Sequence, residues 1–167
     1  MSTGVYALIG VVLGGGIAAA SQIGIGIFMA RRAATAEWRV AVRLVSEELE
    51  RLMLELRALI EHGTTPTMPL HEGYLSTKLW EEYRTVIARE LPNDSAGDEF
   101  WRGLARVNSM SSHGVRPAIQ SLPQGAPLKA SFIDVLRDGF EGARGAYESL
   151  TGQPSEIQLP SSEGHGG

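Results

Sequence analysis

The first thirty residues of the chain, Met1 to Ala30, carry no charged side chain, and the 25 residues Val5–Met29 within them are mainly apolar. About 20 apolar residues are enough to cross the hydrocarbon core of a bilayer as an α-helix, and this run is long enough to cross with some tilt. The sequence therefore predicts a transmembrane helix. A cleaved signal peptide is the alternative. The lack of a basic stretch before the run, and the apolar continuation as far as Met29, argue against cleavage.

Basic residues collect directly after this run. Arg31, Arg32, Arg39 and Arg43 are accompanied by a single acidic residue, Glu37. Positive charge beside a membrane helix stays on the cytoplasmic side, so we expect the N-terminus outside the cell membrane and the C-terminal domain in the cytoplasm. Arg32, Arg39 and Arg43 share one helix face and are candidates for contact with lipid head groups or an acidic partner. Alternatively, they are only the ordinary positive flank of a membrane helix.

Small residues recur along the predicted span. Gly10 and Gly14 form a G-x-x-x-G pair, and Gln22 is a polar residue in the half nearer the arginines. Small residues let two membrane helices approach closely, and an amide in lipid can hydrogen-bond to a neighbouring helix. These three residues are therefore candidates for helix–helix packing in the membrane. The alternative is that small residues are simply frequent in membrane helices.

A long juxtamembrane helix is predicted over residues 31–62, because no Gly or Pro interrupts the chain before Gly63, a natural C-cap. Apolar residues recur in alternating steps of three and four, as in a coiled coil. This heptad seam comprises Val42, Val45, Leu49, Leu52, Leu56 and Leu59. It permits two interpretations: self-association between copies, or burial under later helices of the same chain. Further apolar residues beside the seam, such as Leu44 and Met53, favour burial.

Three shorter helices are predicted to follow, separated by proline-containing loops. Their approximate ranges are 77–91, 95 to within 108–114, and 128–150. The predicted fold is all-α, with one N-terminal transmembrane helix that continues into the juxtamembrane helix, and a small cytoplasmic bundle of three further helices. The predicted segments are a membrane anchor (1–30), the juxtamembrane helix (31–62), the helical bundle (63–151) and a disordered tail (152–167).

Local signals predict how two of these helices begin. Ser76 or Thr77 is placed to cap the second helix. Ser95 is placed to begin the third as a variant capping box, with Asp98 at the third helical position.

The last predicted helix contains three glycines, Gly139, Gly142 and Gly145. Each weakens a helix by roughly 1 kcal/mol relative to alanine. Such glycines mark either close packing against another helix or a marginal, frayed helix.

Motifs for catalysis are not evident. The chain has no cysteine, which excludes disulfides, thiol catalysis and cysteine metal sites. No phosphate-binding loop, hydrolase nucleophile motif or zinc-protease motif occurs. The best metal candidates, His62, His71 and Glu72, lack the tight spacing that zinc sites usually have. We therefore predict no metal site, no cofactor and no enzymatic activity.

The distribution of charge argues against a nucleic-acid partner. Residues 31–44 have a net charge of +3, whereas the remainder of the chain has 11 basic and 18 acidic side chains, a net charge of −7. An acidic body repels the phosphate backbone.

The sequence around the second and third predicted helices has a recognisable arrangement. Leu79-Trp80-Glu81-Glu82-Tyr83-Arg84 is followed by Ile87-Ala88 and Leu91, and then by Phe100-Trp101 and Leu104. This arrangement resembles uncharacterised single-pass membrane proteins of actinobacteria, over about residues 77–107 together with the anchor. Where such proteins often have an Ala-Tyr pair, this chain has Val107-Asn108. The resemblance implies an architecture, a membrane anchor with a cytoplasmic helical domain, and no particular activity.

Together these features predict a membrane-tethered interaction or scaffold protein. Its expected partners are the lipid bilayer and either further copies of itself or another membrane-associated protein. The alternative is a small membrane oligomer or holin-like pore that acts through its glycine-rich membrane helix.

Overall fold

The computed structural model describes residues 26–70, 73–110 and 114–159 in full, and residues 3–25 only as backbone of the first helix. Over this part of the chain the fold is all-α, which confirms the predicted class. The described residues form five helices: α1 Thr3–His62, α2 Lys78–Glu90, α3 Ser95–Met110, α4 Arg116–Ser121 and α5 Ala130–Thr151. The chain divides into two compact units, Met1–Val40 and Ala41–Gly167. We call them the N-terminal segment and the helical domain.

The N-terminal segment contains the whole of the predicted membrane anchor, residues 1–30. Residues 5–25 of the predicted span, including Gly10, Gly14 and Gln22, lie outside the residues whose side chains are described. Among the described residues, no helix has an apolar stretch long enough to cross a membrane.

In the helical domain, the part of α1 from Ala41 to His62 supplies one face of the core. Five residues of the heptad seam are at most 2% exposed in the single chain, and Val42 is half-buried. The heptad spacing therefore serves packing within this chain, as in the second interpretation of the seam. Gly63, with φ of +60°, ends α1, and its N–H donates to the Leu59 carbonyl at 3.0 Å.

Helices α2 and α3 lie within a residue or two of their predicted bounds, and aromatic residues join them. The rings of Trp80, Phe100 and Trp101 pack edge to face, with centroid separations of 5.4 to 5.6 Å. The cap of α3 differs from the prediction. Asp94, rather than Ser95, accepts hydrogen bonds from the N–H groups of Ala96 and Gly97, at 3.0 and 3.1 Å. Asp94 is one position earlier in the chain than Ser95, and its carboxylate lies where the first N–H groups of α3, which have no partner within the helix, point.

The prediction that residues 114–127 are entirely loop is wrong, because α4 lies within them, and in the described part of the chain four helices rather than three follow α1. Pro117 lies in its first turn, where the missing N–H of proline would have no partner in the helix anyway. Ile119 is buried and attaches this short helix to the core.

Helices α3 and α5 pack directly against each other through glycine. A Cβ added to Gly142 would lie 2.9 Å from both the Gly103 carbonyl oxygen and Arg106 Cβ. A Cβ on Gly139 would collide with the Met110 side chain. Of the two interpretations of the glycines in this helix, close packing is the one that the structure shows.

Part of the predicted disordered tail, residues 152–159, belongs to the described residues, and the rest lies outside them. Gly152, with φ of +68°, ends α5, and residues 153–159 continue as non-helical chain against the helical domain. The Ser155 N–H donates to Glu148 Oε1 at 3.2 Å.

Candidate interaction surface

The predicted arginine face is exposed. Arg32, Arg39 and Arg43 are all open to solvent, in agreement with their helical spacing. Arg43 donates from Nε to Glu47 Oε1 at 2.8 Å, and this bond, together with the charge of Glu47, raises the pKa of Arg43. One of the three predicted head-group contacts is thus already engaged with a neighbouring carboxylate.

Exposed large apolar side chains of the helical domain gather in one region. Leu54 is 53% exposed, Met68 76%, Leu122 41% and Val135 46%. Each of them lines one of three grooves. Leu54 and Met68 line a groove of about 760 Å³ beside α1, and Met68 and Leu122 line a second of about 280 Å³. Leu122 and Val135 line a third of about 500 Å³ beside α5.

The three grooves adjoin one another. The first and second share Thr65, Pro66 and Met68, and the second and third share Leu122. We call this continuous surface the apolar band. Its exposed apolar residues come from two helices and two loops that are distant in sequence, so folding alone brings them together.

A polar clasp holds the two loops side by side. The buried Thr65 hydroxyl donates to the Pro123 carbonyl at 2.6 Å and accepts from the Ala126 N–H at 2.9 Å. The Thr65 N–H donates to the Ala126 carbonyl at 2.9 Å, and the Leu128 N–H donates to the Gly63 carbonyl at 2.7 Å. These bonds hold together the two loops that carry Met68 and Leu122.

Few ionisable groups line the apolar band. Glu55, His62 and Lys129 are the charged or titratable side chains among its lining residues, besides the Tyr74 hydroxyl. Glu55 Oε2 already accepts the Leu75 N–H at 2.6 Å. Burial, and then the charge of Glu55, raise the pKa of Tyr74, so its hydroxyl stays neutral. The band is suited to apolar contact rather than to proton transfer.

The most buried carboxylate of the domain has a structural task. Glu48 Oε1 and Oε2 accept the N–H groups of Leu79 and Trp80 at 2.9 and 2.8 Å, so a side chain of α1 caps the N-terminus of α2. Thr77, one of the two predicted caps, makes no side-chain cap bond, whereas the Ser76 hydroxyl accepts the Lys78 N–H at 3.2 Å. Burial raises the pKa of Glu48. Each carboxylate oxygen thus holds one N–H group of α2, which accounts for the burial of this carboxylate.

Charged side chains on the surfaces of α3 and α5 also pair with one another, two pairs within α5 and one between the two helices. Arg144 lies 2.8 Å from Glu141 and 3.8 Å from Glu148, and Arg106 lies 3.9 Å from Asp138. These exposed pairs form a solvated surface of mixed charge.

Within the described residues, no three His, Asp or Glu side chains are grouped closely enough to hold a metal ion. Of the candidate set His62, His71 and Glu72, the last two lie outside the described residues.

Comparison with protein-family models, with curated proteins and with solved structures found no match to this chain. The resemblance to actinobacterial single-pass proteins therefore stays a prediction.

The apolar band was not predicted from the sequence. Met68 and Leu122 lie in proline-containing loops, where no periodic pattern predicts whether an apolar side chain is buried or exposed. Single exposed apolar residues are common on protein surfaces, so only their adjacency in the folded domain marks them as a surface.

Proposed function

We propose that the protein is a membrane-tethered interaction module. Its N-terminal segment anchors it in the cell membrane, and its helical domain binds another protein at the cytoplasmic face. The observation that carries the binding function is the apolar band, because the exposed large apolar side chains of the helical domain adjoin one another instead of being scattered.

Support for the anchor comes from the sequence and from the end of the predicted span. Ile27, Phe28 and Met29 are 51%, 63% and 58% exposed. Because successive helix positions point about 100° apart, these three side chains make most of the helix circumference apolar. Arg31 and Arg32 follow at once, as expected for the cytoplasmic end of a membrane helix.

The chemistry of the band favours a partner with uncharged apolar side chains. Such a partner leaves few charges unpaired, because the charged or titratable side chains that line the band are few and one of them, Glu55, already accepts the Leu75 N–H. Met68 is flexible and polarisable, which suits an adaptable contact.

Membrane attachment is tested by extraction of the full-length protein from membranes with alkaline carbonate. The wild type should remain in the membrane fraction. Val12→Arg with Leu13→Arg should release it, because arginine at the centre of a span costs about 2.5–3.5 kcal/mol on insertion scales. Val12→Leu with Leu13→Ile is the matched control and should remain. Release of the wild type by carbonate would refute the anchor.

Orientation is tested separately by cysteine labelling, which can use single introduced cysteines because the chain has no native cysteine. A single cysteine at Ser2 should react with a membrane-impermeant maleimide in intact cells. A single cysteine at Asn93, which is exposed in the helical domain, should react only after lysis. The reverse pattern would overturn the proposed orientation.

The interaction surface is tested with a photo-crosslinking residue at Met68 or Leu122. Both positions should give the same adduct, and Leu122→Asp should abolish the adduct formed from Met68. A probe at Arg102, whose side chain is 65% exposed on α3, is the control and should give none. Equal adducts from Arg102, or no adduct from either band position, would refute the proposed surface.

A further inference from the structure

The chain after α5 follows the helical domain with every second side chain turned inward. Ser155, Ile157 and Leu159 are half-buried, whereas Glu156 and Gln158 are exposed. An alternation of two is the pattern of an extended segment with one face against a surface. We call Ser155–Leu159 the strap.

The strap contacts two helices of the domain. Its Ser155 N–H donates to Glu148 Oε1 of α5 at 3.2 Å, and its Ser155 hydroxyl lies 3.8 Å from the Met53 thioether of α1. Beside these contacts Tyr147 hydrogen-bonds Glu50, and this bond, then burial, then the charges of Glu50 and Glu156, raise the pKa of Tyr147. The strap therefore lies where α1 and α5 meet.

Two polar contacts join the strap to the helices: a hydrogen bond to α5 at 3.2 Å and a sulfur contact to α1 at 3.8 Å. The Ile157 N–H is satisfied within the strap, by the Ser155 hydroxyl at 3.2 Å. Gly152 separates the strap from α5 with a left-handed turn, so the strap can leave while α5 stays folded.

We propose that the strap is an intramolecular ligand that covers a docking strip formed by α1 and α5, and that an extended segment of a partner protein, with apolar side chains at alternate positions, binds there by displacing it. The strap itself defines the chemistry of the partner: a small polar residue followed by two apolar residues at a spacing of two. This inference rests on the interaction function proposed above, and it adds a second surface distinct from the apolar band.

The experiment is a direct binding measurement with a peptide of the chain's own residues Gln153–Leu159, labelled with fluorescein. The receptor is the full-length protein in mild detergent, compared with a variant that ends at Pro154. The truncated variant should bind the peptide saturably. The full chain should bind it at least about tenfold more weakly, because the tethered strap competes at a high effective concentration.

Two peptide variants test the alternation. A peptide with Ile157→Asp and Leu159→Asp should not bind the truncated variant, because both inward positions become charged. A peptide with Glu156→Lys and Gln158→Lys should bind like the original, because both changes are at outward positions. Equal binding of all three peptides would overturn the proposed recognition.

A purely structural role for the strap predicts a different outcome. In that case the Ser155 and Ile157 amides would exchange as slowly as the core of α5, because the strap would leave the domain only on global unfolding, whereas a displaceable strap exchanges at least about tenfold faster. If circular dichroism shows that truncation unfolds the domain, full-length protein carrying Ile157→Asp and Leu159→Asp replaces it, and its failure to bind the original peptide refutes the strap. Neither result depends on the apolar band, so failure of the strap and failure of the crosslinking test are distinguishable.

Discussion

Replacing Gly103 by alanine should lower the free energy of unfolding, although alanine is the better helix former. A Cβ at this position would lie 3.0 Å from the Ala146 nitrogen and 3.1 Å from Ala146 Cβ, and well inside contact distance of the Gly142 carbonyl oxygen. Two of these three atoms belong to the backbone of α5, and the third is bonded directly to it. None is the end of a flexible side chain, so the two helices must separate to make room.

The expected magnitude follows from two opposing terms. Alanine in place of glycine inside a helix contributes about 1 kcal/mol. Forcing an extra methyl group into a well-packed contact costs about 1–3 kcal/mol, and a contact with backbone should lie at the upper end of that range. We therefore expect Gly103→Ala to lose about 1–2 kcal/mol net.

Gly145→Ala is the matched control on α5. The nearest atom to its added Cβ is Glu99 Oε1 at 3.2 Å, the end of an exposed and flexible side chain that can move aside. This variant should gain about 0.5–1 kcal/mol from helix propensity. Urea titration of both full-length variants in mild detergent, followed by circular dichroism and tryptophan fluorescence, measures the two changes. Equal effects of the two substitutions, or a gain in Gly103→Ala, would refute the close contact between α3 and α5.

Three other predictions follow from single side chains. Glu48→Gln should cost about 1–3 kcal/mol in urea unfolding, because an amide cannot accept both α2 N–H groups. Burial raises the pKa of Glu48 above 4.5 in the folded state, so the folded protein binds this proton more tightly than the unfolded chain does. Protonation of Glu48 therefore adds to the free energy of unfolding, fully below pH 4.5 and less as the pH rises through the raised pKa, so the wild type should gain stability relative to Glu48→Gln on acidification from neutral pH towards 4.5. A stability difference that does not change with pH would refute this. Asp94→Ala should cost about 1 kcal/mol and Ser95→Ala almost nothing, the reverse of what a Ser95 cap requires. A single cysteine at Leu49 should not react with maleimide in the native protein, whereas a single cysteine at Leu54 should react. Formation of an oxidised homodimer through the cysteine at Leu49 would instead favour a seam formed between two copies of the chain.

The helices of the domain could largely be predicted because their signals are local. Gly63 ends α1, prolines separate the later helices, and apolar residues at helical spacing mark the buried faces. The heptad seam shows the limit of such patterns. Its spacing predicts that one face of α1 is buried, but the same spacing serves a neighbouring copy or the chain's own helices equally well. Burial of the seam in the single chain supports packing against the chain's own helices.

Helix α4 and the strap could not be predicted because composition outweighed weaker local patterns. Three prolines and two glycines between residues 114 and 127 are typical of a loop, yet Pro117 in a first turn allows six residues of helix. The strap lies in a segment rich in Gly, Ser and Pro, which is typical of disorder. Its alternation of buried and exposed positions covers only five residues, too few to outweigh that composition without the surface against which it packs.

Contacts between residues that are distant in sequence leave no local sequence pattern. In this domain both the role of the buried carboxylate Glu48 and the apolar band depend on such contacts. Glu48 is separated by 31 residues from Leu79, whose N–H it accepts, and Thr65 by 58 residues from Pro123. Each of these polar contacts holds one segment of the domain against another, and each leaves its polar atoms satisfied. The apolar band lies on the loops that Thr65 joins, so the clasp determines where Met68 and Leu122 stand relative to each other. The candidate site is thus a product of the tertiary fold. Disrupting the clasp at Thr65 should separate Met68 from Leu122, even though every apolar side chain of the band is retained.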